Sequence, residues 1–119
     1  MTALIALLIA AFPPPAADPI ASAAARLTAV IEEDGRPDVP LRAMATRACR
    51  TTLRGRARQW TIDWRRPATI TREDTFVFVD AAPVRIAIVA DASRPDQAAG
   101  LDALTAAMRS VASRCRSPT

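Results

Sequence analysis

The sequence predicts an α+β domain: an N-terminal helix, an antiparallel β-meander of about four strands, and a C-terminal helix packed on one sheet face. Three observations carry that expectation. Apolar residues recur at helical spacing near both ends of the folded region, apolar and polar residues alternate through its middle, and turn residues separate the alternating runs. The chain has 119 residues, of which 50% are hydrophobic and 24% charged. That is enough for one small core and too apolar for a disordered chain.

The first apolar run, Ala3–Phe12, is followed by Pro13-Pro14-Pro15. Ten residues are too few to span a bilayer as helix but suit the hydrophobic region of a signal peptide. Residues 1–17 are therefore expected to be a signal peptide and cleavage region, and 18–119 a single domain, periplasmic or secreted, with no transmembrane span in the mature chain. The alternative is a buried N-terminal helix, since Met1-Thr2 brings no basic side chain.

A helix is expected over Asp18–Asp34. Asp18 can cap it, Pro19 suits its first turn, Ile20, Ala24, Leu27 and Ile31 share a face, and Gly35 can end it. Leu41–Ala48 is open between helix and strand, its Ala content favouring helix. From Cys49 the period becomes two: Cys49, Thr51 and Leu53 point inward, and later Trp60, Ile62 and Trp64. The inward positions are odd in the first run and even in the second, so a turn about Arg54-Gly55-Arg56 must separate two strands of a hairpin. Thr69–Thr71 forms a further strand, and Glu73-Asp74 a turn. Thr75–Val79 reads as a central strand covered on both sides. Val84, Ile86, Ile88 and Ala90 give the last strand one buried face. Ser93 and Asp96 have the spacing of a capping box, ahead of a helix whose stripe is Leu101, Leu104, Met108, Val111 and Cys115.

Cys49 and Cys115 stand in no CxxC or metal-ligand spacing, and the chain has no His. In an oxidising compartment such a pair is expected to form a disulfide; two buried thiols are the alternative if the chain is not exported. No metal or cofactor is expected.

The side-chain inventory also limits catalysis. All 16 basic residues are Arg, so there is neither an imidazole base nor a Schiff-base lysine. No catalytic residues are assigned, and the expected class is non-enzymatic. A hydrolase using the carboxylates of Asp63 and Asp80 is a minor alternative that their spacing does not support.

Charge is the strongest remaining pattern. Between Arg42 and Arg72 nine arginines face Asp63 alone, whereas the whole chain carries only +4. Arg50, Arg54, Arg56, Arg58, Arg65 and Arg66 are the candidate anion-binding residues, with the Gly55 turn as apex. The expected function is a small exported binding or interaction protein whose partner is an acidic protein or an anionic envelope component. Nucleic acid is disfavoured, because aromatics do not interleave the arginines. Two plainer readings compete: a solvated sheet face partly neutralised by Glu32-Glu33-Asp34, and a disulfide-stapled structural or assembly accessory of an envelope complex. Trp60 and Trp64 could form a stacking strip but fit better as core bulk.

Overall fold

The computed structural model describes residues 18–116, so the expected signal peptide lies outside the described residues. The fold is α+β. Helix α1 (Pro19–Ala24) is followed by strands β1 (Ala29–Glu32), β2 (Val39–Pro40), β3 (Ala43–Arg47), β4 (Arg50–Arg54), β5 (Gln59–Asp63), β6 (Thr69–Arg72), β7 (Phe76–Ala81) and β8 (Val84–Ala90), then by helix α2 (Pro95–Arg116). The strands make two antiparallel sheets, one ordered β2-β1-β8-β7-β6 and the other β3-β4-β5. The described strands thus number eight, against the four or so expected, and the meander is divided between two sheets.

The first departure from the expected elements is at the N-terminal helix. Asp18 does cap it, its Oδ1 accepting from Ala21 N at 3.0 Å, and Pro19 opens it. The helix ends at Ala24, however, and Ala29–Glu32 is strand β1, inserted between β2 and β8. Ala29 and Ile31 align with Ala90 and Ile88 on the buried side of the sheet. Gly35 is not a helix stop: Asp34 and Gly35, with φ of 48° and 74°, form the β1–β2 turn, closed by Arg36 N donating to Glu33 O. An Asp-Gly pair behind a Val-Ile run is a hairpin signal, and the sequence pattern carried it unread.

The Leu41–Ala48 segment is also strand. Ala43–Arg47 pairs with β4 through a two-residue turn in which Ala48 and Cys49 both have positive φ, 52° and 62°. Side chains cost roughly 1 kcal/mol each in that region. Beyond β4 the expected hairpin is present, closed by Gly55 N donating to Arg58 O at 2.8 Å. Gly55 needs its missing side chain, because a Cβ there would run into Val39 of β2. Leu53 opposes Trp60 and Thr51 opposes Ile62, which reconciles the odd and even inward positions.

Helix α2 packs on β6, β7 and β8, and α1 packs on α2 and β3. One core joins both sheets: Met44, Leu53, Trp60, Ile62 and Trp64 from the smaller, and Ile31, Val77, Val79, Ile86 and Ile88 from the larger. Leu101, Leu104, Met108 and Val111 close it from the helix. Each large side chain buried this way contributes roughly 1.5–3 kcal/mol. Trp60 and Trp64 are therefore core.

The expected capping box is not used. Ser93 donates its hydroxyl to Asp91, and Arg94 O receives the first helical N–H groups, from Gln97 and Ala98. Strand β7 is covered on one side only, because Phe76 and Phe78 are half-buried on its outer side.

Candidate functional site: an arginine pole at the disulfide

The three-stranded sheet turns Met44, Thr51, Leu53, Trp60 and Ile62 inward, so the alternate residues face out. On that outer side Arg47, Arg50 and Asp63 form one cross-strand row at one end, and Ala43, Arg54 and Gln59 form a row at the other. The five residues of β4 separate the two ends by roughly 13 Å at 3.3 Å per residue. The expected basic cluster is therefore split. Arg50, Arg65 and Arg66 lie at one end, and Arg54, Arg56 and Arg58 at the other.

At the turn end one arginine of the run, Arg58, meets acid, whereas Arg54 and Arg56 make no ion pair among the described residues. Glu33, from the β1–β2 turn, accepts from Arg58 Nη2 and from Arg36 Nη1 at 3.1 Å through Oε1, and from Trp60 Nε1 at 2.8 Å through Oε2. The Arg58 guanidinium also lies over the Trp60 ring, 4.9 Å from its centroid. The Trp60 N–H and the Arg58 guanidinium hold the Glu33 carboxyl below its ordinary pKa. Arg58 is thus a structural pin rather than an open anion-binding side chain. Glu32 moves the opposite way: a hydrogen bond with Asp38, and that residue's charge, raise its pKa. With Glu32 in a strand and Glu33-Asp34 at a turn, no helix dipole opposes these acids.

The other end is built around the disulfide. Cys49 and Cys115 are bridged, with Cα atoms 5.9 Å apart, fastening the β3–β4 turn to the last turn of α2. Cys49 O accepts from Trp64 N at 2.9 Å, which brings the start of the Arg65-Arg66 segment to the same turn. Beneath it runs a chain of hydrogen bonds. Trp64 Nε1 donates to Thr51 Oγ1 at 2.7 Å, the Thr46 and Thr51 hydroxyls lie 2.7 Å apart, and Thr46 N donates to Asp18 Oδ2 at 2.7 Å. A cavity of about 330 Å³ beside the bridge is lined by Asp18, Thr46, Cys49, Cys115 and Arg114.

Six arginines thus lie near the bridge: Arg47 and Arg50 flanking the turn, Arg65 and Arg66 after Trp64, and Arg114 and Arg116 on either side of Cys115. Both acids nearby are occupied. The two oxygens of Asp18 accept main-chain N–H groups from Ala21 and Thr46. Asp63 Oδ1 takes the Arg65 N–H and Nε at 3.1 and 3.2 Å. The Arg65 main-chain N–H is the leading cause of a lowered Asp63 pKa. Arg47, Arg50, Arg66 and Arg114 make no ion pair among the described residues, and Arg47 sits directly across from Arg50. Like charges in direct cross-strand contact are unfavourable, and Asp63 across from Arg50 offsets only part of this, since it is already held by Arg65.

Sequence reasoning missed Arg47 and Arg114. Arg114 could be placed only by the disulfide, whereas Arg47 was hidden by the open reading of its segment. Asp63 and Asp80 are not a pair: they lie on different sheets, Asp63 with Arg65 and Asp80 with Arg85 at 3.5 Å. Among the described residues no three metal-ligating side chains gather, and no helix is long and apolar enough to cross a membrane.

Fold and site together define a small disulfide-fastened α+β domain with a basic pole. No protein-family model, curated protein or solved structure matches the chain.

Proposed function

We propose that the chain is a small exported binding protein that holds an acidic protein or an anionic envelope component on its disulfide-end arginine pole. The observation that carries this reading is the gathering near the bridge of Arg47, Arg50, Arg66 and Arg114, none of them in an ion pair among the described residues. The turn-end Arg54 and Arg56 instead share their end with the Glu33–Arg58 pair. Guanidinium groups bind carboxylate and phosphate bidentately, so a pole of unpaired ones selects such partners. The disulfide supports an oxidising compartment, and hence export to the periplasm or beyond. The inventory without His or Lys supports binding rather than catalysis.

A charge-matched comparison tests this. Arg47→Gln with Arg50→Gln, and Arg54→Gln with Arg56→Gln, remove the same formal charge from opposite ends of one sheet. Retention on vesicles of mixed anionic and zwitterionic phospholipid, followed against salt, should weaken at least twice as much for the first pair. Equal weakening would reduce the effect to net charge and remove the pole.

A second reading, an assembly accessory of a larger envelope complex, draws on the outer side of the five-stranded sheet. There Val30, Phe76, Phe78 and Val89 are half-buried in adjoining register. Capture of a periplasmic complex that resists high salt would favour it, since exposed charge contacts are screened beyond about 8 Å at physiological ionic strength.

A further inference from the structure

A groove of about 690 Å³ runs between α2 and the edge strand β6, lined by Ala68, Thr69 and Ile70 on one wall and Arg109, Ala112 and Arg116 on the other. Arg109, Ala112 and Arg116 stand at i, i+3 and i+7, so they form one stripe along the helix. Seven residues put the two arginines about 10 Å apart along the axis. The small side chains of Ala68 and Ala112 leave the space between them open.

The two cations are held differently. Arg109 Nη2 donates to the Ile70 carbonyl at 2.9 Å, crossing from helix to strand. That acceptor is uncharged, so the guanidinium is oriented while its charge stays unbalanced. Arg116 makes no ion pair among the described residues. The next acid on this stripe, Asp102, is taken by Arg72 at 3.0 Å. No carboxylate is among the described residues that line the groove. Edge addition of a peptide strand is disfavoured, because the Arg109 side chain already occupies an outward carbonyl of β6. The space left is a short cleft between two guanidinium groups.

We propose that this groove, whose Arg116 end adjoins the pole at the disulfide, is a binding site for a small ligand bearing a phosphate or carboxylate group. Arg109 is the pre-oriented anchor, its remaining N–H groups available to one oxyanion. Arg116 closes on the same group from the other end of the stripe. Charge-assisted, bidentate contacts of this kind are the strong ones, although exposure to water limits the affinity.

The test titrates the full chain at low ionic strength with inorganic phosphate and with succinate, followed by amide chemical shifts. Saturable shifts at Thr69, Ala112 and Arg116 are expected with at least one probe. Saturation by phosphate alone or by succinate alone fixes the ligand class. Arg116→Gln should weaken that binding by about tenfold or more, as loss of a charged hydrogen bond does. Arg109→Gln should act similarly, and Arg54→Gln with Arg56→Gln should leave the constant unchanged. Equal shifts from chloride at matched ionic strength, or unaltered binding in Arg116→Gln, would overturn the site.

Discussion

The two ends of the three-stranded sheet carry similar densities of arginine but hold their one paired arginine differently: Arg58 at the turn end, beside Arg54 and Arg56, and Arg65 at the disulfide end. At the turn end, the β1–β2 turn delivers Glu33, and Arg58 is folded onto that carboxylate and onto the Trp60 ring. At the disulfide end, the nearest acids are bound to main-chain groups or to Arg65, and Arg47 and Arg50 stand side by side with Asp63, already held by Arg65, as the one acid of their row. The difference shows that arginine count does not define a binding surface. What decides is whether the topology brings a free carboxylate to the same place. Here a strand from the N-terminal region does so at one end, and a covalent bridge adds another arginine at the other.

The bridge is where the comparison can be broken most severely. It closes a separation of 66 residues, for which the chain-entropy argument gives about 4 kcal/mol. Cys115→Ser should therefore lower the melting temperature by about 15 °C or more under oxidising conditions and by little in reductant. It should also release Arg114 from the pole, so retention on anionic vesicles should weaken. The Glu33–Arg58–Trp60 contact at the far end should persist, checked by Trp fluorescence at a temperature where both proteins are folded. An equal drop in both redox conditions would show that Cys115 acts by packing alone.

The same contrast explains what was legible in the sequence. Period-two alternation over Cys49–Trp64 placed the hairpin and its buried side correctly, because strand register follows from local pattern once one side is buried. The stripe on α2 was legible for the same reason. Strand β1 was not, because Ile20, Ala24, Leu27 and Ile31 also satisfy a helical period. Only the long-range partner β8, with Ala90 opposite Ala29 and Ile88 opposite Ile31, decides for strand there. Arg58 looked like any other arginine of the run until β1 carried Glu33 to it. Reading Asp34-Gly35 as a hairpin turn would have exposed both errors together.

A smaller effect is expected from the hydrogen-bond chain beneath the pole. Thr51→Val keeps the shape of a fully buried side chain but leaves Trp64 Nε1 without its acceptor. An unsatisfied buried donor costs about 1–3 kcal/mol. Denaturant titration should show that loss, whereas Thr52→Val, on the outer side, should change stability by less than about 0.5 kcal/mol. Since Trp64 directly precedes Arg65 and Arg66, the first substitution should also weaken anion retention. A stable Thr51→Val protein would mean that Trp64 finds another acceptor and that the pole does not depend on this chain.

The smallest effect concerns the turn end, and its sign follows from linkage. The Glu33 carboxyl is held below its ordinary pKa, first by the Trp60 N–H and then by Arg58. A group with a lowered folded-state pKa contributes stability above its unfolded value, near 4.3, and that contribution is lost as pH falls through the folded value. Glu32, raised by Asp38, works in the other direction, favouring the folded chain at lower pH and losing that contribution as pH rises through its folded value. Asp63 and Asp91, whose pKa values are also lowered, act in the same direction as Glu33. Stability should therefore fall in acid from several carboxylates at once, and stability alone would be a poor reporter of Glu33. Trp60 is the better one, because its N–H meets the titrating carboxylate at 2.8 Å. Acid titration should change Trp emission in a step below pH 4.3 while the protein is still folded. Glu33→Gln should abolish that step and lower the melting temperature at neutral pH by a few degrees. Retention on anionic vesicles should change little, since the substitution leaves Arg47 and Arg50 untouched. A marked rise would show that Arg58, released from Glu33, and with it the turn end, carries the partner.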